Sequence, residues 1–235
     1  MSEYRVLGIT LARVGSKSVP KKNIQIIAGK PLLCYTIEEA LKSSYLNRYI
    51  VSTDDPEIQN VAIEAGAEAP FLRPAEFSND NATSVSALQH AVSWAEQDKG
   101  KEYDFIVELM CTNPLKTVED IDACIHKLVA TGADSVIAVH KVEDHHPIRI
   151  KKIVDDKIAD FCLPEIPEIR RQDLKPEAYI RSGSIYALTR DHLMKDCKRY
   201  GSKNSRPYIL SSNRAVNIDS KIDLFKAEAI LKDLD

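Results

Sequence analysis

Short apolar runs alternate along this chain with longer stretches in which apolar residues recur every three or four positions, the periods of buried strands and amphipathic helices. Arg5–Ala12 predicts a strand, and Pro31–Ser43 a helix with Leu33, Ile37, Ala40 and Leu41 on one face. Arg48–Ser52 predicts a second short strand, ending at Thr53–Asp54–Asp55. Pro56 then opens a helix whose buried face is Ile58, Val61, Ala62 and Ala65, closed by Gly66; proline suits a first helical turn and glycine a helix end. Thr83–Gln97 is amphipathic through Val85, Leu88, Val92 and Ala95. Asp104–Leu109 and Asp134–Val139 read as strands flanking a helix over Val118–Ala130, and Tyr179–Leu188 as a further strand. Ser220 and Asp223 form an N-cap pattern for a closing helix carrying Ile222, Phe225, Ala229 and Ile230.

This alternation predicts an α/β fold with a mainly parallel sheet covered by helices on both faces. Ligands of such sheets bind beyond the carboxyl ends of the strands. The loop after the first strand, Thr53–Asp55, Met110–Thr117 and the segment after Val139 are therefore expected along one edge. From about His140 to Tyr179 the pattern breaks into charges, prolines and short apolar pairs, which suits a substrate-facing or subunit-facing excursion. No repeat, low-complexity tract or linker interrupts the chain, so a single domain over residues 1–235 is expected.

Composition narrows the partners. The 235 residues are 44% hydrophobic and 29% charged, with a net charge of −3, so any basic function is local and no general attraction to nucleic acid or an anionic membrane is expected. No apolar run approaches the roughly 18 residues of a membrane span, and MSEYRVLG lacks a basic segment followed by an apolar one; a cytoplasmic location is the expectation. Cys34, Cys111, Cys124, Cys162 and Cys197 have no C-x-x-C spacing and read as reduced packing thiols. The histidines form no H-E-x-x-H, and His145–His146 read as loop residues beside Pro147.

The candidate chemistry is concentrated in Leu11–Asn23, LARVGSKSVPKKN, where Arg13, Lys17, Lys21 and Lys22 fall within ten residues after an apolar strand. Backbone N–H groups and cations gathered at a strand end suit a polyphosphate; a solvated basic loop is the plain alternative. The segment is not a P-loop, because Thr10 stands where the first glycine of Gly15–Ser16–Lys17–Ser18 is required, and no G-x-G-x-x-G occurs.

Further blocks follow in order: GKPLLCYTIEEA (29–40), IVSTDD (50–55), LRPAEFSNDNATS (72–84), CTNPLKT (111–117), HHP (145–147), RRQDL (170–174), SGSIYAL (182–188) and NIDSKIDLFKAE (217–228). With Leu11–Asn23, these resemble the CMP-sialic acid synthetases, or acylneuraminate cytidylyltransferases, over nearly the whole chain. The resemblance implies a Rossmann-like fold of the nucleotide-diphospho-sugar transferase type, usually a homodimer. It also implies a reaction in which CTP and a nine-carbon 2-keto sugar acid give a CMP-sugar and pyrophosphate, and it includes the legionaminate and pseudaminate synthetases. On this resemblance Arg13 and Lys22 hold the triphosphate, with Lys17 a further candidate. Leu11, Ala12, Gly15, Ser16, Asn23, Arg73, Asp80, Ala82 and Ser84 complete the nucleotide site. Magnesium is implied at Asp219 with Asn217 beside it, while Asp223 reads as a helix cap; simple charge at a helix N-terminus is the other reading of both aspartates. Arg13, Lys22 and Asp219 are the candidate catalytic residues, and no side chain stands out as an indispensable general base. The sugar acid is expected at Met110, Thr112, Asn113, Arg149, Arg171, Tyr179, Arg181 and Ser182. Tyr179 and Tyr186 suit a core or pocket wall, and Arg149 suits a phosphate, a partner subunit's site or plain surface.

Departures from the family pattern fall mostly where the sugar's substituents sit. Val14–Gly15 replaces a glycine pair, and Asn217 replaces the first aspartate of Asp-x-Asp, which removes a charge from the metal site. Met110 replaces a glutamine and Asn113 a serine; Ile180 replaces an arginine after an apparent one-residue insertion at Lys175, leaving Arg181 as its substitute. A glutamine can hydrogen-bond an acylamino group, whereas methionine packs against it. A legionaminic or pseudaminic acid is therefore expected at least as readily as N-acetylneuraminate. The alternatives are the same transfer to a 3-deoxy-octulosonate-type acid or from another nucleotide, and a nucleotide-binding homologue without turnover.

Overall fold

The computed structural model describes residues 4–15, 19–142 and 144–234. Strand β1 (Val6–Leu11) is buried up to its last residue, as an apolar strand paired on both sides must be. A short antiparallel pair, β2 (Ile26–Ile27) and β3 (Lys30–Pro31), leads into helix α1 (Leu32–Lys42). Next come β4 (Arg48–Ser52) and α2 (Pro56–Glu64). Asp55 caps α2, its Oδ1 accepting from the N–H of Glu57 at 2.9 Å and of Ile58 at 3.0 Å. Helix α3 (Ser84–Lys99) starts behind Thr83, whose Oγ1 accepts from Ser86 N–H at 3.1 Å. The alternation continues through β5 (Phe105–Leu109), α4 (Val118–Thr131), opened by a Thr117–Asp120 capping box, and β6 (Ser135–Lys141). The excursion holds a hairpin, β7 (Lys151–Val154) and β8 (Lys157–Asp160), turned by Asp155 and Asp156 at φ 50° and 57°. Strand β9 (Tyr179–Thr189), α5 (Arg190–Met194), β10 (Ser205–Ile209) and α6 (Lys221–Leu234) close the chain.

The six-stranded sheet has the order β10-β6-β9-β5-β1-β4. β1 runs parallel to β4 and β5, and β10 parallel to β6; β9 lies antiparallel between β5 and β6. The sheet is mainly parallel, as the alternation predicts. Periodicity does not reveal the reversed direction of β9 or the presence of β10. The latter carries Pro207, which an edge strand tolerates.

Successive side chains of a strand face opposite sides, so the sheet has two cores. Val107 and Leu109 of β5 pack with α1, α2 and α4, whereas Ile106 packs with Leu88, Ala91 and Val92 of α3 and with Tyr186. Glu108 and Met110 have the parity of Ile106 and face α3. A third cluster joins Ile27 and Leu32 to Ile218 and Ala227, which brings residues 217–219 back beside β2. Leu224, Ala227 and Leu231 make the buried stripe of α6. Ile222 and Phe225, expected on that face, are instead 70% and 69% exposed, because the i, i+3, i+7 set that meets the domain is the other one. Among the described residues, no helix is long and apolar enough to cross a membrane.

Candidate active site

The carboxyl ends of β1, β4 and β5 open onto a cavity of about 490 Å³. From the β1 side it is lined by Leu11, Arg13, Gly15, Lys22 and Asn23, from the segment after β4 by Arg73, Asp80, Ala82 and Ser84, and from the turn after β5 by Met110 and Thr112. These eleven expected positions come together. Ser16 and Lys17 lie outside the described residues. Ala12 is fully buried in the core, donating its N–H to Ser52 O at 3.0 Å; it anchors the loop and adds no side chain to the wall.

Short hydrogen bonds hold the cation loop. Val14 N–H donates to Asp54 Oδ1 at 2.9 Å, tying the loop to the end of β4. Asn23, 7% exposed, donates from Nδ2 to Arg13 O at 2.9 Å and accepts from Cys111 Sγ at 3.0 Å, so one amide joins the β1 and β5 loops. Arg13 Nη1 lies 3.4 Å from both Asn79 O and Asp80 Oδ1. Lys22 donates from Nζ to Ile218 O at 2.7 Å and to Asp219 Oδ1 at 3.3 Å, with its side chain only 12% exposed. Arg73 is buried, its N–H bonded to Thr53 O at 2.7 Å and its Nε to Ser78 Oγ at 3.1 Å. Burial lowers the Arg73 pKa, opposed by Asp54 and assisted by Arg13. Three cations thus face one cavity, a field that suits a polyanion.

Residues 217–219 sit at the rim beside Lys22. Asn217 Nδ2 donates to Asp219 Oδ2 at 2.5 Å, while Asn217 Oδ1 is buried without a hydrogen-bond partner. Gly183, at φ +61°, makes room for that amide, since an added Cβ would lie 3.2 Å from Asn217 Cγ. Asp223 Oδ2 accepts from the N–H of Asp219 at 3.1 Å and of Ser220 at 2.8 Å, which makes it a cap for α6. Among the described residues, no cluster of three or more His, Cys, Asp or Glu side chains suits a metal. One carboxylate and one unsatisfied amide oxygen do fit a hard cation that takes most of its ligands from water and phosphate.

The other expected sugar contacts lie elsewhere. Asn113 is fully buried, donating from Nδ2 to Arg214 O at 3.2 Å and accepting from Leu115 N–H at 3.2 Å; it builds the turn below the wall. Ser182 is buried with its hydroxyl on Ala138 O at 3.0 Å. Arg171 lines a separate cavity of about 180 Å³ with His146 and Glu177. Arg149 donates to Ile169 O at 3.2 Å, and Tyr179 donates from its hydroxyl to Glu177 at 3.0 Å. Arg181 lies over the Tyr200 ring, 4.3 Å from its centroid. None of these six lines the main cavity.

Two side chains matter that the sequence reading passes over. Glu108 lines the cavity yet is 2% exposed, accepting from Arg199 Nη1. Burial raises its pKa and the Arg199 guanidinium opposes that rise. Lys116 is buried beneath the wall and donates from Nζ to Thr36 Oγ1 at 2.7 Å, Met110 O at 2.9 Å and Asn113 O at 2.5 Å. Burial pulls its ammonium down to about 7, and its bonds set the turn that carries Met110 and Thr112. The available signal was a single charge inside an otherwise apolar strand, and a lysine following a turn.

Comparisons with known proteins bear on the family and the fold. A family described as cytidylyltransferase matches residues 7–229. A pseudaminic acid cytidylyltransferase of Campylobacter jejuni is 32% identical over 227 residues, covering 96% of each chain. A CMP-N,N'-diacetyllegionaminic acid synthase of Legionella pneumophila is 32% identical over 241 residues, covering 97% of each. A solved CMP:2-keto-3-deoxy-manno-octonic acid synthetase complexed with CTP shares the fold, with a TM-score of 0.72 at 20% identity over 98% of this chain and 100% of that one. On the match over residues 7–229 and these identities, the chain belongs to the cytidylyltransferase family.

Proposed function

We propose that this protein transfers CMP from CTP to the anomeric hydroxyl of a nonulosonic acid and releases pyrophosphate. The convergence of Arg13, Lys22 and Arg73 on a cavity at the carboxyl edge of β1 and β5 carries this reading. The names of the relatives in Campylobacter jejuni and Legionella pneumophila support a pseudaminic- or legionaminic-type acid. Arg13 and Lys22 bind triphosphate oxygens, Arg73 and the backbone of Ala82–Ser84 take the cytidine, and Met110 and Thr112 face the acceptor. The anomeric oxygen forms a bond to the α-phosphorus as the bond to pyrophosphate breaks, and the hydroxyl proton is released to solvent water. The protein's share is alignment and stabilisation of charge that builds on the phosphate oxygens.

Asp219 with Asn217 Oδ1 would hold a magnesium ion, which when bound neutralises triphosphate charge. Asp219→Asn is expected to weaken manganese affinity in the presence of CTP by about tenfold or more, roughly 1.4 kcal/mol, read by the paramagnetic resonance of the free ion. Unchanged affinity would remove Asp219 as the ligand. The reading includes a homodimer acting in the cytoplasm, for which the exposed Ile153, Ile158 and Phe161 around the β7–β8 hairpin offer apolar surface.

The whole reading is tested by incubating the protein with magnesium, each of CTP, UTP, GTP and ATP, and a panel of nine- and eight-carbon 2-keto acids. Pyrophosphate release with a CMP-sugar of the expected mass, for CTP and a nonulosonic acid, is the expected result. Release only with another nucleotide or an eight-carbon acid contradicts it, as does silence across the panel with CTP bound.

A further inference from the structure

The sheet order divides the cavity. Arg13 and Lys22 follow β1, and Arg73 is tied to Thr53 just beyond β4, so the cations that suit the nucleotide occupy the β1–β4 side. Glu108 lies on β5 and is cross-strand from Tyr186 on β9, one step toward the opposite side. Arg199 reaches it from the segment after α5 and stacks over the Tyr186 ring, 4.6 Å from its centroid. A smaller cavity of about 260 Å³, walled by Arg199 and Tyr200, shares Thr83 and Ser84 with the main one. Space therefore continues past the nucleotide toward Glu108 and Arg199.

The two oxygens of Glu108 differ. Oε2 takes the Arg199 guanidinium. Oε1 has no protein hydrogen bond among the described residues, and it is not sealed away as the partnerless hydroxyl of Ser184 is. A cavity-lining carboxylate with one oxygen anchored and the other open is an acceptor waiting for a donor. It repels phosphate and the acceptor's own carboxylate, so among the groups of the two substrates only an N–H or hydroxyl can meet it. Met110, two residues on along the same strand face, offers apolar and polarisable surface. An acylamino group satisfies both neighbours, its N–H on the carboxylate and its acyl carbons on the thioether, whereas a hydroxyl satisfies only the first.

We propose that Glu108 is a specificity-determining residue whose free oxygen accepts a hydrogen bond from the N–H of an acylamino substituent of the sugar acid, with Arg199 holding the carboxylate in place. This rests on the cytidylyl-transfer reading and adds the substituent that the site selects. It also accounts for Met110: the donor that a glutamine would have met is met by Glu108, from one position deeper on the same face.

The test measures kcat/KM for nine-carbon 2-keto acids that carry an acetamido group, a hydroxyl or hydrogen at the same ring carbon, for each substituted carbon in turn. At one carbon the wild-type protein is expected to prefer acetamido over hydrogen by about 30-fold or more, the range of a hydrogen bond to a charged group. In Glu108→Leu/Arg199→Met, which removes both charges together and leaves neither unpaired, the three acceptors are expected to fall within about threefold of one another, while KM for CTP holds. Glu108→Gln, which keeps an acceptor oxygen without the charge, is expected to be intermediate. Selectivity that survives the double variant overturns the proposal, as does a raised KM for CTP, which would put the base or ribose there. A wild-type protein that releases pyrophosphate with none of these acids overturns the transfer reading and this proposal together; turnover with unaltered selectivity overturns only the latter.

Discussion

Lys22→Met is expected to lower kcat/KM for CTP by about 10²–10³-fold, the effect of removing one preorganised charged donor from a site where negative charge builds up. The expectation comes from how Lys22 is held. Its side chain is 12% exposed and its ammonium is aimed by Ile218 O at 2.7 Å and Asp219 Oδ1 at 3.3 Å. Both contacts come from the segment before α6, which cluster packing with Ile27 and Leu32 fixes in place. An ammonium positioned before substrate arrives needs little reorganisation as the pyrophosphate departs. Arg13 is held more loosely, at 3.4 Å from Asn79 O and Asp80 Oδ1, so Lys22 is expected to be the larger loss of the two. Steady-state kinetics with circular dichroism of the variant checks this. A folded variant retaining more than about a third of wild-type kcat/KM would show that Lys22 only fastens the segment of Asp219.

Much of the fold was legible because its strands are buried on both faces. Val6–Leu11, Arg48–Ser52 and Phe105–Leu109 are mostly apolar runs, broken by few polar residues such as Arg48 and Glu108, and their helices carry unambiguous caps at Asp55, Thr83 and Thr117. What escaped was set by tertiary context. The antiparallel direction of β9 leaves no mark on its own hydrophobic pattern. β10 has no fully buried residue and carries a proline, which one-sided pairing at the sheet edge permits and which leaves no apolar run to read. The cations of the loop after β1 were legible because they follow the strand end directly, whereas Asn23 and Arg73 were legible only through the resemblance of their sequence blocks to a known family. Asn113 was expected at the sugar through its place in the resembling block CTNPLKT, whereas its buried amide joins the turn to Arg214. Glu108 and Lys116 went unread for the opposite reason: their importance lies in Arg199 and Thr36, 91 and 80 residues away in sequence.

Asp120→Ala is expected to destabilise the protein by about 3–5 kcal/mol at neutral pH, the loss seen when one partner of a buried ion pair is removed. Asp120, 1% exposed, is surrounded by donors from three segments. Arg214 engages both carboxylate oxygens, with Nη2 to Oδ1 at 3.0 Å; the Tyr208 hydroxyl donates to Oδ1 at 2.8 Å and Thr117 N–H to Oδ2 at 2.9 Å. Burial alone would raise the Asp120 pKa, but the bonds from Arg214, Thr117 and Tyr208 outweigh it and leave it lowered. Because the folded pKa lies below the unfolded one, the native state binds fewer protons than the unfolded chain between the two values. The stabilisation is therefore complete above the unfolded pKa of about 3.9 and is lost as pH falls through the folded one. Chemical denaturation from pH 7 down to pH 3 is thus expected to show the variant's deficit narrowing only at the acid end; a deficit that is small at pH 7, or that does not narrow, would contradict the assignment. The consequence reaches the cavity. Arg214 also receives Asn113 Nδ2 on its carbonyl at 3.2 Å, and four residues later Ile218 donates its N–H to Thr112 O at 2.8 Å while its carbonyl accepts from Lys22. The ion pair that fastens the segment after β10 to α4 therefore also fastens the stretch that aims Lys22, so Asp120→Ala should weaken catalysis even at temperatures where the variant remains folded.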